Sequence, residues 1–146
     1  MAQLERSVAT LRIGGDELVP EEISRLLRAV PTSAHAKGQQ VPSGPSGRIF
    51  TKPSGIWRLR AKDAELEDVD GQICELLGKV TRDLSVWNDI ATRFSVDLFC
   101  GWFMRSGNEG VVISPETMLA LAQRGIQLSL DIYGPVASDV DAESPE

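Results

Sequence analysis

The feature that most constrains the fold is a strict alternation of apolar and polar residues near the end of the chain. The apolar positions are Ile126, Leu128, Leu130 and Ile132, and the polar positions between and after them are Gln127, Ser129, Asp131 and Tyr133. This alternation predicts a half-buried β-strand, with one face in a core and the other in water. Such a strand belongs to a sheet that is covered on one side.

The other elements are predicted from apolar periodicity and from Pro, Gly and capping residues. In chain order they are a strand over 7–13, a helix opened by Pro20 and closed by Pro31, a strand over 55–60, a helix with apolar positions from Leu66 to Val80, a helix capped by Asp83, a strand over 96–104, a short strand over 111–113 and a helix from Ser114 to Gly125. The strand over 96–104 is the most apolar segment and is predicted to be a central strand, largely buried on both faces. Because strands and helices follow no regular βαβ order, we expect an α+β two-layer sandwich with helices on one face of a mainly antiparallel sheet.

A chain of 146 residues with 42% hydrophobic residues has the size and composition of one globular domain. We assign that domain to residues 1–134 and expect the acidic stretch 135–146 to be a disordered tail. No apolar run approaches the roughly 18 residues of a membrane span, and the first residues lack the pattern of a secretory signal. A cytoplasmic protein that is not embedded in a membrane is therefore expected.

Residues 31–55 form the segment of greatest functional interest. They contain four prolines, four glycines and several serines, and they are predicted to form a long loop with a short strand at 48–51. Loops of this length inside a compact domain are usually functional or mobile. This loop carries His35, Lys37, Arg48 and Lys52 and has no acidic residue.

The formal net charge is −6, and it is distributed unevenly along the chain. Residues 1–60 hold nine Lys/Arg and five Asp/Glu, whereas residues 61–146 hold six and sixteen. The asymmetry indicates two electrostatic faces or a charge-guided partner. The overall acidity argues against nucleic acid as a partner, since such binding rests on phosphate neutralisation.

The sequence contains no clear motif for catalysis, metal binding or a cofactor. His35 is the only histidine, and a Gly- and Pro-rich loop is a poor place to hold catalytic geometry. Cys74 and Cys100 lack the paired spacing of a zinc site and are interpreted as reduced thiols. The phosphate-binding glycine motifs are missing too. We therefore predict no catalytic residue, no metal site and no cofactor.

Two tryptophans, Trp57 and Trp102, lie on predicted strands. They are interpreted as core residues. The alternative places one of them on the uncovered sheet face, where it would form a binding patch with Arg58, Arg60 and the basic loop, because Trp and Arg are enriched at binding hot spots.

Several segments together resemble one protein family. They are residues 11–23 (LRIGGDELVPEEI), Pro31-Thr32 with Lys37-Gly38, 55–57 (GIW), 97–102 (DLFCGW), 113–116 (ISPE) and 128–133 (LSLDIY). In order and spacing they are similar to the bacterial family known as domain of unknown function 4279, from about residue 7 to residue 134. The resemblance implies a small soluble bacterial protein with no established activity. The stand-alone form of such proteins is similar to that of immunity proteins in toxin systems, a class-level analogy.

Two functional hypotheses follow from these observations. The preferred one is a non-enzymatic module that binds a protein partner, such as a toxin, through loop 31–55 and the uncovered sheet face. The alternative is a small-molecule or anion-binding domain, or a minor enzyme, in which Lys37, Arg48 and Arg58 hold an anionic group between the loop and the sheet. A homodimer formed through the apolar segment 96–104 is a third interpretation, although a buried central strand explains that segment more simply.

Overall fold

The computed structural model describes residues 2–3 and 5–135. Its elements, in chain order, are β1 (Ala2–Gln3), β2 (Arg6–Gly15), α1 (Pro20–Leu27), β3 (Ser33–His35), β4 (Gln40–Ser43), β5 (Arg48–Thr51), β6 (Gly55–Arg60), β7 (Ala64–Glu65), α2 (Val69–Gly78), α3 (Leu84–Arg93), β8 (Ser95–Phe103), β9 (Glu109–Gly110), α4 (Pro115–Gln123) and β10 (Gln127–Tyr133). The mainly antiparallel sheet and its helices confirm the predicted α+β class. The expected tail, 135–146, lies outside the described residues except for Pro135.

The main sheet has six strands and is built around β2. Its order is β10-β8-β2-β6-β3, and β7 also pairs with β2. Strand β2 is antiparallel to β6 and β8, whereas β10 runs parallel to β8. Two smaller two-stranded sheets pair β1 with β9 and β4 with β5.

The helices cover one face of this sheet, and the core lies between the two layers. Alternate strand residues such as Leu11, Trp57 and Leu98 are fully buried there, together with Ile23 of α1 and Ile73 of α2. Alternate residues of a strand point to opposite faces, so the interleaved residues form the second face, which no helix covers.

The helix termini follow the predicted capping chemistry. The Asp83 carboxylate accepts from the Ser85 amide at 3.0 Å, and the Ser114 hydroxyl accepts from the Thr117 amide at 3.2 Å. Each bond satisfies an amide that the helix itself leaves free. Helix α2 is shorter than the predicted Leu66–Val80 pattern and begins after a cap at Asp68.

The prediction that segment 96–104 is largely buried on both faces holds for one face only. Strand β8 buries Val96, Leu98 and Cys100 under the helices, while Asp97 and Phe99 on the other face are only half-buried. The physical reason is that the second face of the sheet has no helical layer. Strand β8 is flanked by β2 and β10, so neither of its edges is free for pairing with a second copy of the chain.

The alternating segment near the end of the chain is a strand, as predicted, but its apolar side is only partly covered. Ile126 is buried and Leu128 packs against the core, whereas Leu130 and Ile132 are exposed. Strand β10 forms the edge of the sheet, and the helical layer ends before it reaches the far half of the strand. The short strand predicted at 111–113 does not form, and the preceding residues Glu109–Gly110 make β9 instead.

Segment 31–55 is more ordered than a loop. The predicted short strand at 48–51 is present as β5, but β3 and β4 also form, and β4 pairs with β5 as a hairpin. Gly44 and Gly47 adopt positive φ angles of 74° and 70° in the connecting turn, a conformation that glycine adopts without steric cost. The sequence therefore indicated the turns and the strand β5 of this segment, but it did not predict β3 and β4.

Candidate functional site

We call residues 40–51 the hairpin arm. They comprise β4, β5 and the turn between them, and every residue from 42 to 51 is exposed. Two of its apolar side chains, Ile49 and Phe50, are 65% and 49% exposed. Since neighbouring residues in a strand point to opposite sides, Ile49 and Phe50 present apolar surface on both faces of the arm.

The foot of the arm is fixed to the domain by hydrogen bonds. The Gly38 amide donates to the Lys52 carbonyl at 2.9 Å, and the Lys52 amide donates to the Gln39 carbonyl at 2.9 Å. Asp16, in the turn after β2, accepts from Lys37 Nζ at 3.1 Å and from the Ser54 hydroxyl at 3.1 Å. These contacts hold both chain segments that lead into the arm.

A pocket of about 490 Å³ lies at the foot of the arm, between the arm and the sheet, and we call it the base pocket. Three half-buried residues of basic character, His35, Lys52 and Arg58, contribute to its lining. Apolar surface comes from Phe50, and no acidic side chain lines the pocket. The base pocket is therefore a basic depression with an apolar wall.

His35 reports the electrostatics of this pocket. Burial lowers the pKa of its imidazole below the ordinary value of 6.5, and the positive charges of Lys52 and Arg58 lower it further. Backbone hydrogen bonding at Ser54 and Ala36 offsets part of this shift. Its Nδ1 atom is buried and has no partner with good hydrogen-bond geometry. The ring is consequently neutral near pH 7 and stands in a positive potential.

The arginines of the uncovered sheet face differ in their partners. Arg12 makes two hydrogen bonds to the Asp97 carboxylate, at 2.8 and 2.6 Å, and its guanidinium lies 4.4 Å from the centre of the Phe99 ring. Arg60 bonds Asp63 at 2.9 Å. Arg58 lies next to Arg12 in the strand register but has no hydrogen-bond or ion-pair partner for its side chain in the described part of the chain.

Trp57 and Trp102 both lie on the helix-covered side of the sheet. The alternative prediction, in which one of them forms a binding patch on the uncovered face, is therefore wrong. Trp57 is fully buried, and its indole N–H donates to the Ser24 hydroxyl at 3.0 Å. Trp102 is half-buried and packs against the core, opposite the buried Ser7. Their positions follow from strand register, because both alternate in phase with the buried residues of their strands.

The predicted site residues are only partly brought together. His35, Lys52 and Arg58 meet in the base pocket, whereas Lys37 is paired with Asp16 and Arg48 lies beside the turn of the arm. Lys37, Arg48 and Arg58, which were predicted to hold one anionic group, therefore do not line the base pocket together. Sequence reasoning missed Phe50 as a pocket wall, and it also missed Arg12 and Phe99 on the uncovered face. The signal that could have identified these three residues is the alternation of side chains between the two faces of β5, β2 and β8.

Other possible chemistries find little support in the described residues. Ser95, which lines the base pocket, donates its hydroxyl to the Gly14 carbonyl at 3.2 Å, and Ser54 donates to Asp16, so neither hydroxyl is bonded to His35. Over residues 2–3 and 5–135, no cluster of three or more His, Cys, Asp or Glu side chains is placed to hold a metal ion.

None of the helices in the described part of the chain has the length and apolar character needed to cross a membrane.

Comparison with known families identifies the chain. A family model described as "Domain of unknown function (DUF4279)" matches residues 4–135. The chain belongs to the DUF4279 family. The match spans both the base pocket and the hairpin arm, so these features lie inside the DUF4279 domain. The curated proteins and the solved structures contain no match to this chain.

Proposed function

We propose that this DUF4279 protein is a non-enzymatic interaction module that uses its hairpin arm to bind an acidic surface on a protein partner. The observation that carries the proposal is the arm itself, in which Ile49 is 65% exposed at a position remote from the core. A protruding strand pair with exposed apolar side chains offers both backbone and side-chain contacts to a partner.

The charge of the segment indicates the chemistry of the partner. Arg48 and Lys52 flank the exposed apolar residues of β5, and residues 31–55 contain no acidic side chain. A basic surface around an apolar centre is complementary to an acidic partner, and such complementarity accelerates association and excludes wrong partners. An immunity role, in which the module blocks a toxin by direct contact, is one form of this proposal.

The test is a pull-down from lysate of the native host with the wild-type protein and an Ile49→Asp variant. This change removes apolar contact and adds a negative charge that an acidic partner repels. The matched control is Val112→Asp, since Val112 is 77% exposed and lies outside the arm. Circular dichroism checks that both variants are folded.

We expect one acidic protein to be retained in stoichiometric amount by the wild type and by Val112→Asp, and to be lost with Ile49→Asp. Its identification by mass spectrometry would give the physiological role. A partner that binds Ile49→Asp as well as the wild type would show that the arm is not the contact surface. The absence of any stoichiometric partner would contradict the interaction module.

A further inference from the structure

We infer that the base pocket binds a small organic oxyanion, a carboxylate or a phosphate that is attached to an apolar body. The inference concerns a site separate from the exposed side of the arm. Phe50 points into the pocket, while its neighbour Ile49 projects from the opposite face of β5. A ligand can therefore bind in the pocket whether or not a protein partner is bound to the arm.

Arg58 is the group that anchors the inference. The guanidinium presents a planar fork of N–H donors that matches a carboxylate or phosphate. The neighbouring Arg12 and Arg60 already bind Asp97 and Asp63, whereas Arg58 has no such partner among the described residues. Because the half-buried Arg58 has no carboxylate partner among the described residues, its guanidinium is free to bind the carboxylate or phosphate of a ligand.

A second cation, Lys52, and the neutral imidazole of His35 line the same space. Lys52 Nζ lies 5.6 Å from the centre of the Phe50 ring, at the edge of the pocket. His35 also lines this space, so a ligand in the pocket lies beside its imidazole ring. Asp16 binds the hydroxyl of the lining residue Ser54, but its charge is balanced by Lys37 at 3.1 Å. The charged groups that face the pocket are thus mainly positive.

The remaining lining selects against a bare inorganic ion. Phe50, Pro53 and Ile56 provide apolar surface, and a pocket of about 490 Å³ is far larger than one phosphate or carboxylate group requires. An aromatic or branched aliphatic body would remove this surface from water while its anionic group meets Arg58. A ligand with both parts is expected to bind more tightly than either part alone.

The single histidine of the chain supplies a direct test. Because His35 is the only imidazole, its NMR signals are assigned without ambiguity and report on the pocket alone. The protein is titrated with benzoate, with phenyl phosphate, with inorganic phosphate and with benzyl alcohol as the neutral aromatic control. The variants are Arg58→Gln and Lys52→Gln, and the matched control is Arg25→Gln on the exposed side of α1.

We expect benzoate or phenyl phosphate to shift the His35 signals in a saturable way, with a dissociation constant of about 1 mM or below. Bound oxyanion adds negative charge beside the ring, so the pKa of His35 should rise in the complex. Arg58→Gln should weaken binding at least about tenfold, Lys52→Gln should weaken it less, and Arg25→Gln should leave it unchanged.

Several results would overturn the inference. One is the absence of a saturable shift with both aromatic anions, and another is an equal response of wild type and Arg58→Gln. An equal shift with benzyl alcohol would show that charge does not contribute to binding. Equal affinity for inorganic and phenyl phosphate would show that the apolar wall does not contribute. No protein partner enters this experiment, so its failure is distinguishable from failure of the proposed interaction module.

Discussion

Trp57 shows how one side chain can link the two layers of this fold. It is fully buried in β6, and its indole N–H reaches the Ser24 hydroxyl of α1 at 3.0 Å. Trp57→Phe removes this hydrogen bond and leaves space in the core. We expect the free energy of unfolding to fall by about 2 kcal/mol, measured by urea denaturation. Val30→Ala, at a side chain that is 84% exposed, serves as the control. An unchanged midpoint for Trp57→Phe would contradict the assigned packing.

The two cysteines differ in their accessibility. Cys100 is buried in β8, and burial together with the charge of Asp97 raises the pKa of its thiol to about 12, whereas Cys74 is exposed on α2. Since the thiolate is the reactive form, Cys100 should be inert in the native state. We expect Ellman's reagent at pH 8 to modify one thiol per native chain and two after unfolding in guanidinium. Rapid modification of both thiols in the native protein would disprove this assignment.

At the scale of elements, the hairpin arm depends on the anchoring residue Asp16. Hydrogen bonds from Lys37 and Ser54 lower the pKa of Asp16 below its ordinary value of 3.8, because they favour the ionised carboxylate. The anchoring is therefore complete above pH 3.8 and is lost as the pH falls through the lowered pKa. Asp16→Asn should imitate the acidic state at pH 6.

The measurement for this prediction is the hydrogen exchange of the Gly38 amide, which bonds the Lys52 carbonyl at the foot of the arm. We expect its protection factor to fall several-fold in Asp16→Asn at pH 6, while core amides of β2 remain unchanged. Protection of Gly38 equal to that of the wild type would show that the arm is held by its backbone bonds alone.

The elements that the sequence predicted well are those specified by local chemistry. Proline, acidic residues and capping side chains located α1, α3 and α4, and a run of β-branched residues located β2. The alternation of Trp57 and Leu59 with Ile56 and Arg58 located β6. Elements that depend on their neighbours were predicted less well. The apolar alternation of β10 does not show whether a helix covers Leu130 and Ile132. Strand β5 was predicted, but Pro42 and the nearby glycines gave no sign of its partner β4.

The same distinction holds for the candidate site. Composition drew attention to the acid-free segment that contains His35 and Lys52, two residues that line the base pocket. It did not show that Lys37 would be paired with Asp16, or that Arg58 would lack a carboxylate while Arg12 has one. Such pairings follow from strand register across β6, β2 and β8, and register joins residues far apart in the chain. A single sequence does not determine them.

At the scale of the whole molecule, the uneven charge of the chain does not become two separate faces. Strand β2 belongs to the basic half of the sequence and lies beside β8 from the acidic half, where Arg12 bonds Asp97. Residues 31–55, which include the arm and several lining residues of the base pocket, stay basic because they contain no acidic side chain. If the arm meets an acidic partner, raising the ionic strength from 0.05 to 0.5 M should slow association at least about fivefold. Stopped-flow mixing of the purified complex components measures this rate, and a rate independent of salt would contradict an electrostatic encounter.

The position of β2 at the centre of the sheet has a consequence for biosynthesis. Arg12 and its partner Asp97 are separated by 85 positions in the chain. Ribosomes add about 5–20 residues per second, so a newly made β2 waits about 4–17 s before β8 has left the peptidyl-transferase centre. During that interval β2 can pair with β6, but its other edge has no partner. Co-translational protection by chaperones is therefore most valuable for the early part of this chain, and truncated N-terminal fragments should aggregate.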